Sequence, residues 1–260
     1  MYLEIAKNLL SDEYEAKYKL AGDHGKRLMD EKIKHSYQVL GVGNYLLKNE
    51  KVFADCKSDE IDFLKAIVLL HDIGRFQEGV TPQIDHGMYG ADILKDKTIF
   101  NVPEAYLSVR HHGHLIESLY ADKDYMSLSD NDKKVIYKYI YLVRDADKLA
   151  NFYLLFREFL KHETLFFSPK PLDTKEVSEK VLRDFMDCKS INKSDVKSHA
   201  DQALMIFACV YDLEYKSSFV FLKKMNILEG LFASFSKYWL EENVEKYKKQ
   251  IFNYIESKMK

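Results

Sequence analysis

The sequence predicts an all-α protein, and three observations carry that prediction. Residues 23–48, 132–161 and 237–259 each place apolar side chains at three- and four-residue intervals, the spacing of one helical face. Only 4 prolines and 10 glycines occur in 260 residues, so helix breakers are few, and no linker or low-complexity tract stands out. With 47% hydrophobic and 31% charged residues, the chain can bury a full core beneath a solvated surface.

Composition also excludes several classes of function. A net charge of −2 provides no basic field to draw the chain to nucleic acid or membrane. Cys56, Cys188 and Cys209 are odd in number and widely spaced, which suits neither a disulfide framework nor a cysteine metal site and fits a reducing cytoplasm. The N-terminal MYLEIAKNLLSDEYEAKYKL mixes acids and lysines into its apolar positions, unlike a signal peptide. The longest useful apolar run, AIVLL at 66–70, is far short of the about 20 residues a membrane span requires. The expectation is a soluble, cytoplasmic protein without a membrane partner, in which a homo-oligomer remains open.

In chain order, residues 2–20 form an amphipathic first helix and Asp23–Lys48 a long second one, whose apolar face is interrupted by His35. Taken alone, His35 reads as a satisfied core histidine or as a ligand. Glu31, one turn earlier in the run DEKIK, reads as a solvated charge or as a ligand to a further ion. Lys48–Ser58 is a polar loop. The central run FLKAIVLLHDIGRF, 63–76, is an apolar helix that ends in His71-Asp72 and stops at Gly74. Unpaired imidazole and carboxylate cost several kcal/mol in apolar surroundings, and a metal ion removes that cost.

Residues 75–85, with Gly79 and Pro82, read as a loop beside such a site. Asp85 caps the next helix or orients His86, and Gly90, one turn beyond His86, allows close approach. PEAYLSVRHHG makes a short helix stopped at Gly113, so that His111 and His112 sit at its end, either as ligands or against the helix dipole. His114 is a surface residue or supports the others. In the stretch 132–161, Asp147 shares a stripe with Ile136, Ile140, Val143 and Leu154, while Asp145 shares a second with Leu142, Leu149 and Phe156. Periodicity does not choose between these aspartates. Beyond Pro169 and Pro171, helices are expected at 174–188, 194–215, 217–234 and 237–259, and the isolated His162 and His199 read as structural.

The HDIG tetrapeptide, a histidine about one long helix upstream and ADKL at 146–149 resemble the HD superfamily of metal-dependent phosphohydrolases. The resemblance implies an HD-type helical bundle over a core of 1–165, with a helical extension over 166–260 or one continuous domain. It implies metal ligation by His35, His71, Asp72 and Asp147. DHGMYGADIL and VRHHG further resemble the two-metal branch that includes HD-GYP phosphodiesterases, where residues matching His86, His111 and His112 hold a second ion. The chain departs from HD-GYP after the histidine pair, reading HHGHLIESLY without Gly-Tyr-Pro, and carries Arg75 where that branch usually has Lys. A cyclic dinucleotide substrate is therefore not expected.

The function implied is a phosphomonoesterase or phosphodiesterase that hydrolyses a small phosphorylated molecule, such as a nucleotide, with metal-activated water. Histidine and carboxylate ligands suit two divalent ions, Mn or Fe, with Mg, Ni, Co or Zn also compatible. Asp72, Arg75 and Lys148 are the catalytic candidates, and Arg75, Arg110, Arg144 and Lys148 the candidates for substrate phosphate. Arg144 and Lys148 can equally form a solvated face. Two alternatives stand beside this reading: a di-iron oxygenase on the same fold, and a catalytically silent ligand-binding module.

Overall fold

The computed structural model describes residues 1–159 and 172–260. The expected domain boundary at 165, the end of the 132–161 stretch, His162, Pro169 and Pro171 lie outside the described residues. Among those described, the protein is all-α, with a single isolated bridge between Leu172 and Ser198 and no strand. Two compact units divide at Ala150/Asn151.

The first unit, Met1–Ala150, contains α1 (Tyr2–Tyr18), α2 (Asp23–Asn49), α3 (Ser58–Leu70), α4 (Arg75–Glu78), α5 (His86–Lys95), α6 (Pro103–His111), α7 (Glu117–Tyr120), α8 (Lys123–Met126) and the first part of α9 (Asp130–Phe159). Its centre is α3, where Leu64 and the run Ala66–Leu70 are buried. A helix apolar all round must be enclosed on every side. α1 and α2 pack along it, α6 meets it as well, and α5 lies on α6. α2 turns Met29, His35, Val39, Leu40, Leu46 and Leu47 inward, so His35 occupies a place on the buried face of a core helix.

Residues 75–78 correct the expectation of a loop. Gly74 has φ −67° and ψ −17°, right-handed helical values, so it continues the chain into α4 instead of stopping it. Arg75 pairs with Glu78 at 2.5 Å across that single turn. Space is what demands glycine at 74, because a Cβ there would lie 2.0 Å from the carbonyl oxygen of His86. Gly90 is similarly constrained, with Val109 Cγ1 at 2.9 Å from a built Cβ. These contacts seat α5 directly against the His71-Asp72 turn and against α6.

The second unit, Asn151–Lys260, contains the remainder of α9 with α10 (Glu179–Met186), α11 (His199–Ala208), α12 (Lys216–Lys224), α13 (Ile227–Phe235) and α14 (Glu241–Met259). Trp239 anchors its core, packing against Phe207, Phe232 and Tyr247 and donating its indole N–H to the Ala200 carbonyl at 3.1 Å. Ser198 and Asp201 form a capping box that starts α11 later than the expected 194. The helix expected over 217–234 is two helices. Asn226 adopts φ 51°, a left-handed conformation that asparagine tolerates better than most residues, and so ends α12 and begins α13.

Gly74→Ala tests the close approach that seats α5. The methyl group must displace a backbone carbonyl, so a loss of about 1–3 kcal/mol is expected in urea unfolding. An unchanged midpoint would show that α5 can retreat at no cost.

Candidate metal centre

His71 follows the last residue of α3 as its C-cap, and His112 does the same for α6. Each ring turns back on its own helix: His71 Nδ1 donates to the Val68 carbonyl at 2.9 Å, and His112 Nδ1 to the Val109 carbonyl at 2.7 Å. Those carbonyls are among the acceptors a helix end leaves open. With the proton on Nδ1, each Nε2 presents a lone pair to the space between the helices, which is how ligating histidines are normally oriented.

That space is lined by acceptors. His71 Nε2 lies 3.7 Å from Asp72 Oδ2 and 3.6 Å from Asp147 Oδ1, and His112 Nε2 lies 3.3 Å from Asp72 Oδ1. His35 Nε2 meets Asp147 Oδ1 at 3.0 Å, and His86 Nε2 stands 3.5 Å from Asp72 Oδ1. His71 Nε2 and His86 Nε2 are buried without a hydrogen-bond partner among the described residues. Two groupings meet the spacing of a shared ion: His35, His71 and Asp147; and His71, Asp72 and His112. Ligand bonds of about 2.0–2.2 Å set neighbouring donor atoms about 3.0–3.5 Å apart, close to these separations. Lone pairs facing carboxylate oxygens repel one another, and a cation among them converts the repulsion into attraction, so the residues fit a metal.

Burial and the charges around it set protonation. Desolvation pulls the pKa of His71 down to about 4 and that of His86 to about 3, although the Asp72 carboxylate works the other way. Both rings are thus neutral, as ligation requires. Burial alone would raise Asp72 and Asp147. Lys32 works against it at Asp72 and the hydrogen bond from His35 at Asp147, and both carboxyls are held well below the usual range.

The remaining candidates divide. Arg75 stays at the centre, with Nε 3.4 Å from Asp72 Oδ1. Lys148 is half-buried next to Asp147 in the chain, and Asp145 is fully buried but belongs to neither ligand group. His111 is not brought into the cluster. Its Nε2 meets Asp122 Oδ2 at 2.8 Å and its Nδ1 meets Ser118 Oγ at 2.9 Å, which occupies both nitrogens. Arg110 binds Asp122 and Asp124, and Arg144 Nη1 donates to the carbonyls of His111 and His114 at 2.6 Å and of His112 at 3.3 Å. Arg144 thus clamps the histidine turn and Arg110 the Asp122–Asp124 stretch that holds His111, so the structure does not bring these two candidates for substrate phosphate to the ligand cluster. Asp85 caps α5 through the Met88 N–H at 3.0 Å and pairs with exposed His114 at 3.4 Å. Glu31 is exposed.

Sequence reasoning missed Lys32, whose Nζ donates to Asp72 Oδ2 at 3.1 Å. The signal was present, since Lys32 precedes His35 by three residues and so shares its helical face.

An all-helical scaffold that gathers histidines and aspartates into two sets able to hold a metal ion defines a class of protein. The HD domain family model matches residues 33–151, and this segment is an HD domain. Domains of this family are generally metal-dependent hydrolases. No curated protein and no solved structure matches the chain.

The neutral histidines make stability pH-dependent once metal is stripped. Unfolded histidine takes up a proton near pH 6.5, whereas folded His71 and His86 resist it to about 4 and about 3. The unfolded chain therefore binds more protons below about pH 6.5, and each ring costs up to about 1.4 kcal/mol per pH unit as pH falls. Chelator-treated protein is expected to lose urea resistance steadily between pH 7 and pH 5. A flat profile would mean that the rings are not held neutral.

Proposed function

We propose that this chain is a metal-dependent phosphohydrolase acting on a phosphoester of a nucleotide or a related small molecule. The observation that carries this reading is the convergence of unpartnered Nε2 atoms and two ionised carboxylates between the ends of α3 and α6. His35, His71, Asp72 and Asp147 would hold one ion. Asp72 would also serve a second, held with His86 and His112. This second set has one histidine fewer than the motif alone suggests, because His111 is engaged with Asp122.

Divalent ions bound there would supply Lewis acidity towards a phosphoryl oxygen and an activated water. The chain's own residues supply the rest. Val68 and Val109 fix the tautomers of His71 and His112 so that neither carries a proton into the site. Arg144 holds the backbone of the His111–His114 turn, which keeps His112 aimed at Asp72. Arg75 offers a guanidinium, about a quarter exposed, to charge developing on the transferring phosphate. No serine or cysteine nucleophile is required.

Protein purified without added metal, assayed for metal by elemental analysis and then against a phosphoester panel with Mn²⁺ and Fe²⁺, tests the reading. Phosphate release without O₂ consumption is expected. O₂ uptake with an iron requirement and no phosphate release would replace it with oxygenase chemistry. Asp72→Ala should abolish nearly all turnover and most bound metal, since one carboxylate serves both ions. His86→Ala should lower metal content from about two ions towards one, with loss of turnover. One ion per chain in both wild type and His86→Ala would remove the second site.

A further inference from the structure

Lys32 projects from α2 onto a carboxylate that the site cannot do without. Its Nζ lies 3.1 Å from Asp72 Oδ2, while Arg75, arriving from α4, places Nε 3.4 Å from Asp72 Oδ1. Two cations from different helices thus bracket the two oxygens of one buried carboxylate. The placement of their side chains matters as much as the contacts: Lys32 is 25% exposed and Arg75 28%, whereas Asp72 is 4% exposed. Both cations are therefore more open to solvent than the carboxylate they bracket. An ammonium has three N–H donors, and Lys32 uses one of them on Asp72 among the described residues. By contrast Arg110 and Arg144 are committed to Asp122, Asp124 and backbone carbonyls.

We propose that Lys32 is a substrate-binding residue which, with Arg75, receives the terminal phosphoryl oxygens and selects a phosphomonoester dianion over a phosphodiester. This rests on the phosphohydrolase reading and narrows its substrate class. A monoester presents three terminal oxygens and up to two charges, which these two cations and the bound ions can all engage. A diester presents two such oxygens, a single charge and a second organic substituent. The dianion gains from each added cation more than the monoanion does.

Lys32→Gln and Lys32→Arg test the proposal in metal-loaded protein, with inorganic phosphate titrated by calorimetry and with p-nitrophenyl phosphate and bis(p-nitrophenyl) phosphate as paired substrates. Lys32→Gln should weaken phosphate binding and raise KM for the monoester about tenfold, with little change for the diester, while metal content stays at the wild-type value. Lys32→Arg should restore most of the loss. Unchanged phosphate affinity in Lys32→Gln overturns the proposal, as does an equal effect on both esters. A fall in metal content assigns Lys32 to holding Asp72 instead, and also overturns it. If wild type cleaves neither ester with any metal, the phosphohydrolase reading is what fails, and the phosphate titration still decides on Lys32.

Discussion

Burying a carboxylate among apolar helices costs several kcal/mol unless charge and hydrogen bonds are supplied around it, and Asp72 is 4% exposed. The protein supplies part of this: Lys32 reaches it from α2 and Arg75 from α4, while the lone pairs of His86, at the start of α5, and His112, at the end of α6, face it and leave room for a cation between. The close approaches that look like packing details exist to make these contacts simultaneous. Gly74 permits the His86 carbonyl to press against the turn that bears Asp72, and Gly90 lets α5 settle on Val109 of α6. A side chain at either position would push apart the helices that surround the carboxylate.

The two histidine-bearing ends share one device. α3 and α6 both end towards the same carboxylate, each bearing a histidine that hydrogen-bonds the carbonyl three residues back. The device removes an open backbone acceptor and settles the tautomer in a single contact. Helix C-termini carry partial negative charge, so two of them aimed at one point add to the carboxylates in favouring a cation there. The cost of assembling so much negative potential is borne by the remainder of the unit, where α3 buries the aliphatic side chains of its C-terminal half.

Much of this was legible in the sequence, and the failures have physical causes. Helical periodicity and HDIG identify an all-α chain with an HD domain, because both depend on local spacing. The divergence of His111 and His112 is not local. Adjacent residues at a helix end point about 100° apart, and which one faces the aspartate is decided by Asp122 and Ser118 further along and by Arg144 from α9. α4 was hidden because glycine is read as a stop, whereas Gly74 is selected for lack of a side chain while keeping ordinary helical angles. The break at Asn226 interrupts a tract whose apolar spacing continues on both sides, so periodicity alone runs through it.

Charge was the least legible property, and the reason bears on how such sites work. A sequence shows which residues are basic but not what each guanidinium or ammonium is facing. Arg110 and Arg144 looked suited to phosphate, yet both are buried, and a buried guanidinium must satisfy its donors within the protein. Here their Nη1 groups bond Asp122, Asp124 and the carbonyls of the histidine turn, which turns them into fasteners. Lys32 lies in the run DEKIK, where Glu31 rather than Lys32 drew a reading. What distinguishes it is partial exposure combined with a buried partner, since a side chain so placed keeps donors towards solvent while its charge is felt inside. Partial exposure therefore separates Lys32 and Arg75 from the buried Arg110 and Arg144, a difference that the sequence does not show.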